Sequence, residues 1–142
     1  MSMTGLDVFD TTVHKTNVWL KDLMDRRRCS RHEAYIGLRA TLHALRDRLP
    51  IEEVVQLGAQ LPMLVRGFYY EGWDSTGKPV RERSLEGFLA GLALELPNDM
   101  DPEAVAGDVF ALLADRVTAG EIEDVEYVLP ARIRDLWPRK AA

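Results

Sequence analysis

The stretch QLPMLVRGFYYEGW, Gln60 to Trp73, has a shorter echo in VLPARIRDLW, Val128 to Trp137. Each holds a Leu-Pro step, at Pro62 and Pro130, and an arginine four residues further on, Arg66 and Arg134. Proline fixes φ and donates no hydrogen bond, so it ends one helix and suits the opening turn of the next. The echo therefore reads as a helix junction used twice. A shift of 68 residues pairs 33–69 with 101–137 and gives seven identities in 37 positions. They are Leu45/Leu113, Asp47/Asp115, Arg48/Arg116, Glu53/Glu121, Leu61/Leu129, Pro62/Pro130 and Arg66/Arg134. Ordinary composition gives about two or three. Apolar positions agree as well, among them Leu42/Phe110, Val54/Ile122, Leu57/Val125 and Tyr69/Trp137.

Around these junctions the apolar residues recur with helical spacing. Phe9, Val13, Thr16, Leu20 and Leu23 predict the buried face of a first helix. SRHE, Ser30 to Glu33, is a capping box for a second, whose stripe is Tyr35, Leu38, Leu42, Leu45 and Leu49. Pro50 opens a third helix with Val54, Leu57 and Leu61 inward, and Pro62 a short fourth with Val65, Phe68 and Tyr69. Gly72 to Arg83 has no period and reads as a connecting loop. Ser84 caps a fifth helix, and Asp101-Pro102 starts a sixth that Thr118-Ala119-Gly120 is expected to end. A seventh carries Ile122 and Val125; Pro130 opens an eighth, expected to reach Trp137-Pro138. No segment alternates as a half-buried strand does. The fold class is all-α: eight helices as two pseudo-symmetric four-helix repeats in one domain, 1–142. Repeat one spans about 7–72, the linker about 72–83 and repeat two about 84–138. Each unit alone is too small to bury much, so the two are expected to meet face to face about a pseudo-twofold axis. The repeated charges suggest ion pairs tying the fourth helix back: Arg66 to Asp47 or Glu53, and Arg134 to Asp115 or Glu121.

The segment AYIGLRATLHALRDRLPIEEVVQLGAQLPMLVRGFYYEGW, Ala34 to Trp73, with LEGFLA and VLPARIRDLW in the second copy, resembles the bacterial Domain of Unknown Function 2267 family. The resemblance runs from about Phe9 to Trp137. It implies a small, all-helical cytoplasmic protein and brings no activity, cofactor or catalytic residues with it.

Composition narrows the function classes. With 46% apolar and 29% charged residues among 142, the chain is long enough to build its own core. The net charge of −5 is uneven, since residues 1–73 carry 10 basic and 9 acidic groups and residues 74–142 carry 8 and 14. This balance argues against nucleic acid, which asks for clustered Lys and Arg; the short run DRRRCSR, Asp25 to Arg31, is the exception. One cysteine, Cys29, forms no intrachain disulfide and suits a reducing cytoplasm. The N-terminus has no secretory pattern, and no run is long and apolar enough for a membrane span.

The three histidines, His14, His32 and His43, fall on different predicted elements, so no metal or cofactor is expected. Phosphate-binding glycine motifs and a nucleophile elbow are absent. The carboxylates of GEIEDVE, Gly120 to Glu126, read as a solvated acidic face. Tyr70 and Trp73, with Arg66, Arg81 and Arg83 near them in sequence, are the candidates for contact with a partner or ligand. The expected function is a non-catalytic module that binds a protein partner or self-associates. The alternative is a carrier or sensor of a small apolar ligand, with a cleft between the repeats lined by Trp19, Phe68, Tyr69 and Phe88. An enzyme using scattered polar residues is a third reading, and a pocket with convergent, strongly shifted carboxylates or histidines is what would favour it.

Overall fold

The structure, a computed structural model, describes residues 2–139. Among these it has eight helices and no strand. They are α1 (Asp7–Arg27), α2 (Arg31–Arg46), α3 (Ile51–Ala59), α4 (Met63–Tyr70), α5 (Leu85–Leu94), α6 (Pro102–Arg116), α7 (Ala119–Val128) and α8 (Ala131–Arg134).

Local chemistry sets most boundaries. Arg28 closes α1 in the left-handed region, at φ 52°, and Cys29 N–H donates back to Met24 O at 3.2 Å. That bond satisfies a carbonyl the last turn leaves free. Ser30 then forms the expected capping box: its Oγ accepts from Glu33 N–H at 3.1 Å, and Glu33 Oε1 accepts from Ser30 N–H at 2.9 Å. Ser84 caps α5 through Gly87 N–H at 2.9 Å. Pro50, Pro62 and Pro130 all stand just before their helices, with ψ of 152°, 150° and 147°. Two boundaries differ from expectation. Thr118-Ala119-Gly120 begins α7 instead of ending α6, because Val117 already turns extended and leaves Thr118 as the N-cap. And α8 stops at Arg134, with Trp137 reached through a turn.

Two helices organise the packing. α2 lies against α1, α4, α5 and α6, while α6 lies against α1, α2, α5 and α7. The remaining contacts join α1 with α4, α3 with α4, α3 with α7 and α5 with α8. The buried apolar residues form one cluster that runs from Trp19 and Leu23 through Leu38, Leu42, Leu45 and Tyr69 to Phe88, Phe110 and Trp137. The buried face of α1 is Thr16, Trp19, Leu20 and Leu23. Phe9 is 47% exposed, a correction to the expected stripe, because the first turns of α1 run beyond the α2–α6 core that would cover it.

The junction arginines also differ from expectation. Arg66 donates from Nε to Gly58 O at 2.8 Å and from Nη2 to Leu61 O at 2.9 Å. Arg134 donates from Nε to Glu126 O and from Nη2 to Leu129 O, both at 2.8 Å. Among the described residues neither takes a carboxylate. Asp47 pairs with Arg46 at 2.9 Å, and Asp115 pairs with Arg26. The reason lies in the turn after each helix: Gly58 O and Glu126 O accept from Leu61 and Leu129 N–H at 3.1 and 3.2 Å and keep a second lone pair, and the proline that follows has no N–H to offer. The guanidinium fork fills that gap from eight and five residues downstream. Arg66→Met is expected to cost about 1.5–3 kcal/mol, the scale of charged hydrogen bonds. Arg134→Met should cost less, because water reaches the more exposed Arg134 carbonyls; urea denaturation of both variants checks the order.

Candidate functional site

Where α3 meets α7, two carboxyl groups face each other. On α3 the buried residues are Glu53, Val54, Leu57 and Gly58; on α7 they are Glu121, Ile122 and Val125. A helix stacks residues four apart on one face, so Glu121 shares the inner face of Val125. The solvated acidic face expected for this helix is thereby corrected: Glu123 and Asp124 are exposed, but Glu121 is only 7% exposed. Glu53 is 9% exposed. One carboxylate oxygen each from Glu53, Glu121 and Asp124 lie within 4.8 Å of one another. Glu53 Oε1 and Glu121 Oε2 are buried, and among the described residues no donor reaches them other than a carboxyl proton of the pair itself.

The electrostatics follow. Burial is the largest influence on Glu121, then the hydrogen bond with Glu53, then the negative charges of Glu53 and Asp124; together they push its carboxyl up to about 8. No arginine or lysine is among these influences. Above the pair, Tyr69 Oη donates to Val54 O at 2.8 Å, and burial pushes the phenol well above its usual range, so it stays a neutral donor. The repeated Glu53/Glu121 identity is visible in the sequence, but the arginine partners expected for both are absent. Their recurrence at the same place in the sequence echo is the available signal.

The residues singled out for contact lie elsewhere. Arg66, Tyr70 and Gly58 meet at the end of α3, where a Cβ on residue 58 would stand 2.4 Å from Tyr70 Oη. Trp73 is partly buried, with its ring 5.8 Å from that of Tyr70. Arg83 donates to Val128 O at 2.9 Å, at the end of α7, and Arg81 is exposed on the loop. Trp19, Tyr69 and Phe88 fill the core, and Phe68 packs edge-on to Tyr35 at 5.4 Å. The basic run at the end of α1 is largely occupied. Arg26 bonds Asp22 and Asp115, Arg27 reaches Asp108 at 3.2 Å, and Arg31 bonds Asn17. Burial pushes the Cys29 thiol up, and Glu33 adds to it, which opposes thiolate formation.

The family model described as an uncharacterized conserved protein, DUF2267, matches residues 16–136. The chain belongs to the DUF2267 family. Among curated proteins none matches it. Both junctions and the Glu53–Glu121 pair of this DUF2267 chain lie inside the matched range; the first turns of α1 lie outside it. No helix among the described residues is long and apolar enough to cross a membrane.

The first turns of α1 hold the other distinctive surface of this DUF2267 protein. Leu6, Val8, Phe9, Met63 and Leu64 are each about half exposed. Thr12 Oγ1 accepts from Leu64 N–H at 2.9 Å and so binds the start of α4 to the side of α1. The surface beside them is a hollow of about 620 Å³ lined in part by Val8, Thr12, Lys15, Pro62 and Met63.

Proposed function

We propose that this protein is a non-catalytic, self-associating helical module made of two copies of one four-helix unit. The observation that carries self-association is the apolar face of Leu6, Val8, Phe9, Met63 and Leu64 at the start of α1 and α4. Scattered exposed apolar side chains are ordinary, but a group gathered at one place marks an interaction surface; Val8 and Met63 line one hollow, and Leu64 is bonded to Thr12 of α1.

The duplication is supported by three features. Exchanging α1–α4 for α5–α8 maps the α1–α2 contact onto α5–α6, α1–α6 onto α2–α5, and α1–α4 onto α5–α8. The α2–α6 and α3–α7 contacts map onto themselves, which is where a pseudo-twofold axis would run. Arg66 and Arg134 make the same pair of carbonyl bonds, after prolines of matching torsion.

The occupant of the apolar face is a second copy. A twofold interface must be self-complementary. An antiparallel pairing of two α1 helices sets Asp7 and Asp10 of one copy opposite Lys15 and His14 of the other, while Phe9 falls opposite Val13. Sedimentation equilibrium of the full chain is expected to show a dimer. Val8→Asp with Met63→Asp should give a monomer of unchanged helical circular dichroism, because both positions are already exposed. A monomeric wild type at high protein concentration overturns the reading.

A further inference from the structure

We propose that Glu53, Glu121 and Asp124 bind a calcium-sized divalent cation where α3 meets α7. The proposal stands apart from self-association and rests on the interior of the same fold.

Proximity is the first observation: three carboxylate oxygens from two helices lie within 4.8 Å of one another. Calcium takes oxygen ligands at about 2.3–2.6 Å, so ligands on opposite sides of the ion stand about 4.6–5.2 Å apart. The spacing fits that ion with little movement. Magnesium demands near-ideal octahedral geometry and keeps several of its waters, which three carboxylates on two helices suit less well.

The second observation is independent of spacing. Glu53 and Glu121 are 9% and 7% exposed, and each turns a buried oxygen, Oε1 and Oε2 respectively, to no hydrogen-bond donor outside the pair among the described residues. Buried acceptors are almost always satisfied, by protein, water or an ion. Here the two oxygens belong to acidic groups on facing helices, where one proton shared by the pair is the only donor among the described residues; a cation that displaces that proton serves both at once. Exposed Asp124 gives the third ligand and the route of entry. The donor set is all oxygen, with no His or Cys, which selects a hard ion over zinc or copper. The sequence brings Glu-x-x-Asp, Glu121 to Asp124, opposite Glu-x-x-Gln, Glu53 to Gln56.

The probe is terbium, a calcium-sized ion whose luminescence is excited through nearby tyrosine and tryptophan; Tyr69 bonds the residue next to Glu53. The full chain, stripped by chelator, is titrated with Tb³⁺ and then competed with Ca²⁺. One saturable site displaced by Ca²⁺ is expected, with affinity rising with pH because ligands must lose protons. Glu121→Gln and Asp124→Asn should each weaken binding at least tenfold, and Glu123→Gln, on the exposed side of α7, should not. Asp124 is exposed, so its variant keeps the test decisive even if Glu121→Gln perturbs the fold. Absence of saturable emission, or equal losses in the Asp124 and Glu123 variants, overturns the proposal; the second result would mean diffuse attraction to an acidic surface. A monomeric wild type that still binds Tb³⁺ at one site would sink self-association and leave the cation site standing.

Discussion

Phe110→Ala is expected to lower the unfolding free energy by about 3–5 kcal/mol, the range for truncating a buried aromatic. Phe110 sits on α6, fully buried, between two other rings. It stacks on Trp137 at 4.3 Å with planes 8° apart, and lies 6.2 Å from Phe88. Alanine there removes the surface that holds the chain after α8 against the core, and leaves a void that neighbours on α2 and α5 cannot fill without moving. Stability of the whole domain is of order 5–15 kcal/mol, so one residue accounts for a large share. Leu42→Ala, at the matched position on α2, should cost about 2–5 kcal/mol for the same reason. Phe9→Ala should cost close to nothing, because Phe9 is already half in water. Urea midpoints of the three variants separate these cases. A loss at Phe9 as large as that at Phe110 would mean that the core has been wrongly located.

Glu121→Gln is expected to make the protein more stable at alkaline pH and to leave it nearly unchanged near pH 5. The fold raises the Glu121 carboxyl from its ordinary 4.5 to about 8. A raised group favours folding in its protonated form. Its contribution is therefore complete below pH 4.5, falls as pH rises, and is gone once pH passes about 8. Each tenfold gain in proton affinity on folding is worth about 1.4 kcal/mol; discounted for water reaching the site, the decline is on the order of 2–4 kcal/mol. Glutamine donates to Glu53 at every pH, so its curve should lose this slope. The measurement is urea denaturation at pH 5, 7 and 9 in chelator, for both proteins. Parallel curves would show that Glu121 does not titrate in this window. Asp22 acts in a different range. Burial alone would raise it, but bonds from Arg26 and Arg116 hold it below its usual value, so its contribution is lost only on strong acidification.

Much of the architecture was legible in the order of residues. The capping box at Ser30, the cap at Ser84 and the prolines at 50, 62 and 130 act within one turn, so reading neighbours suffices. The stripe Leu38, Leu42, Leu45 and Leu49 is buried as its spacing implied. The candidate site was half legible. Glu53 and Glu121 stand out as a repeated identity, yet their facing across α3 and α7 is a matter of how two distant helices meet, and Glu121 sits among exposed acids that hide it in the sequence. The arginines misled for a related reason. A matched Arg and Asp invite an ion pair, whereas the stronger need, once the prolines are placed, is that of the helix-end carbonyls.

By itself the sequence determined that this chain is helical and where most helices start, because periodicity, capping and the missing N–H of proline are properties of consecutive residues. Only the tertiary structure decided which residues of a stripe are covered and which polar groups lose water. Burial depends on the partner helix: Phe9 is apolar but overhangs the core, and Glu121 is charged in solution but faces another acid inside it.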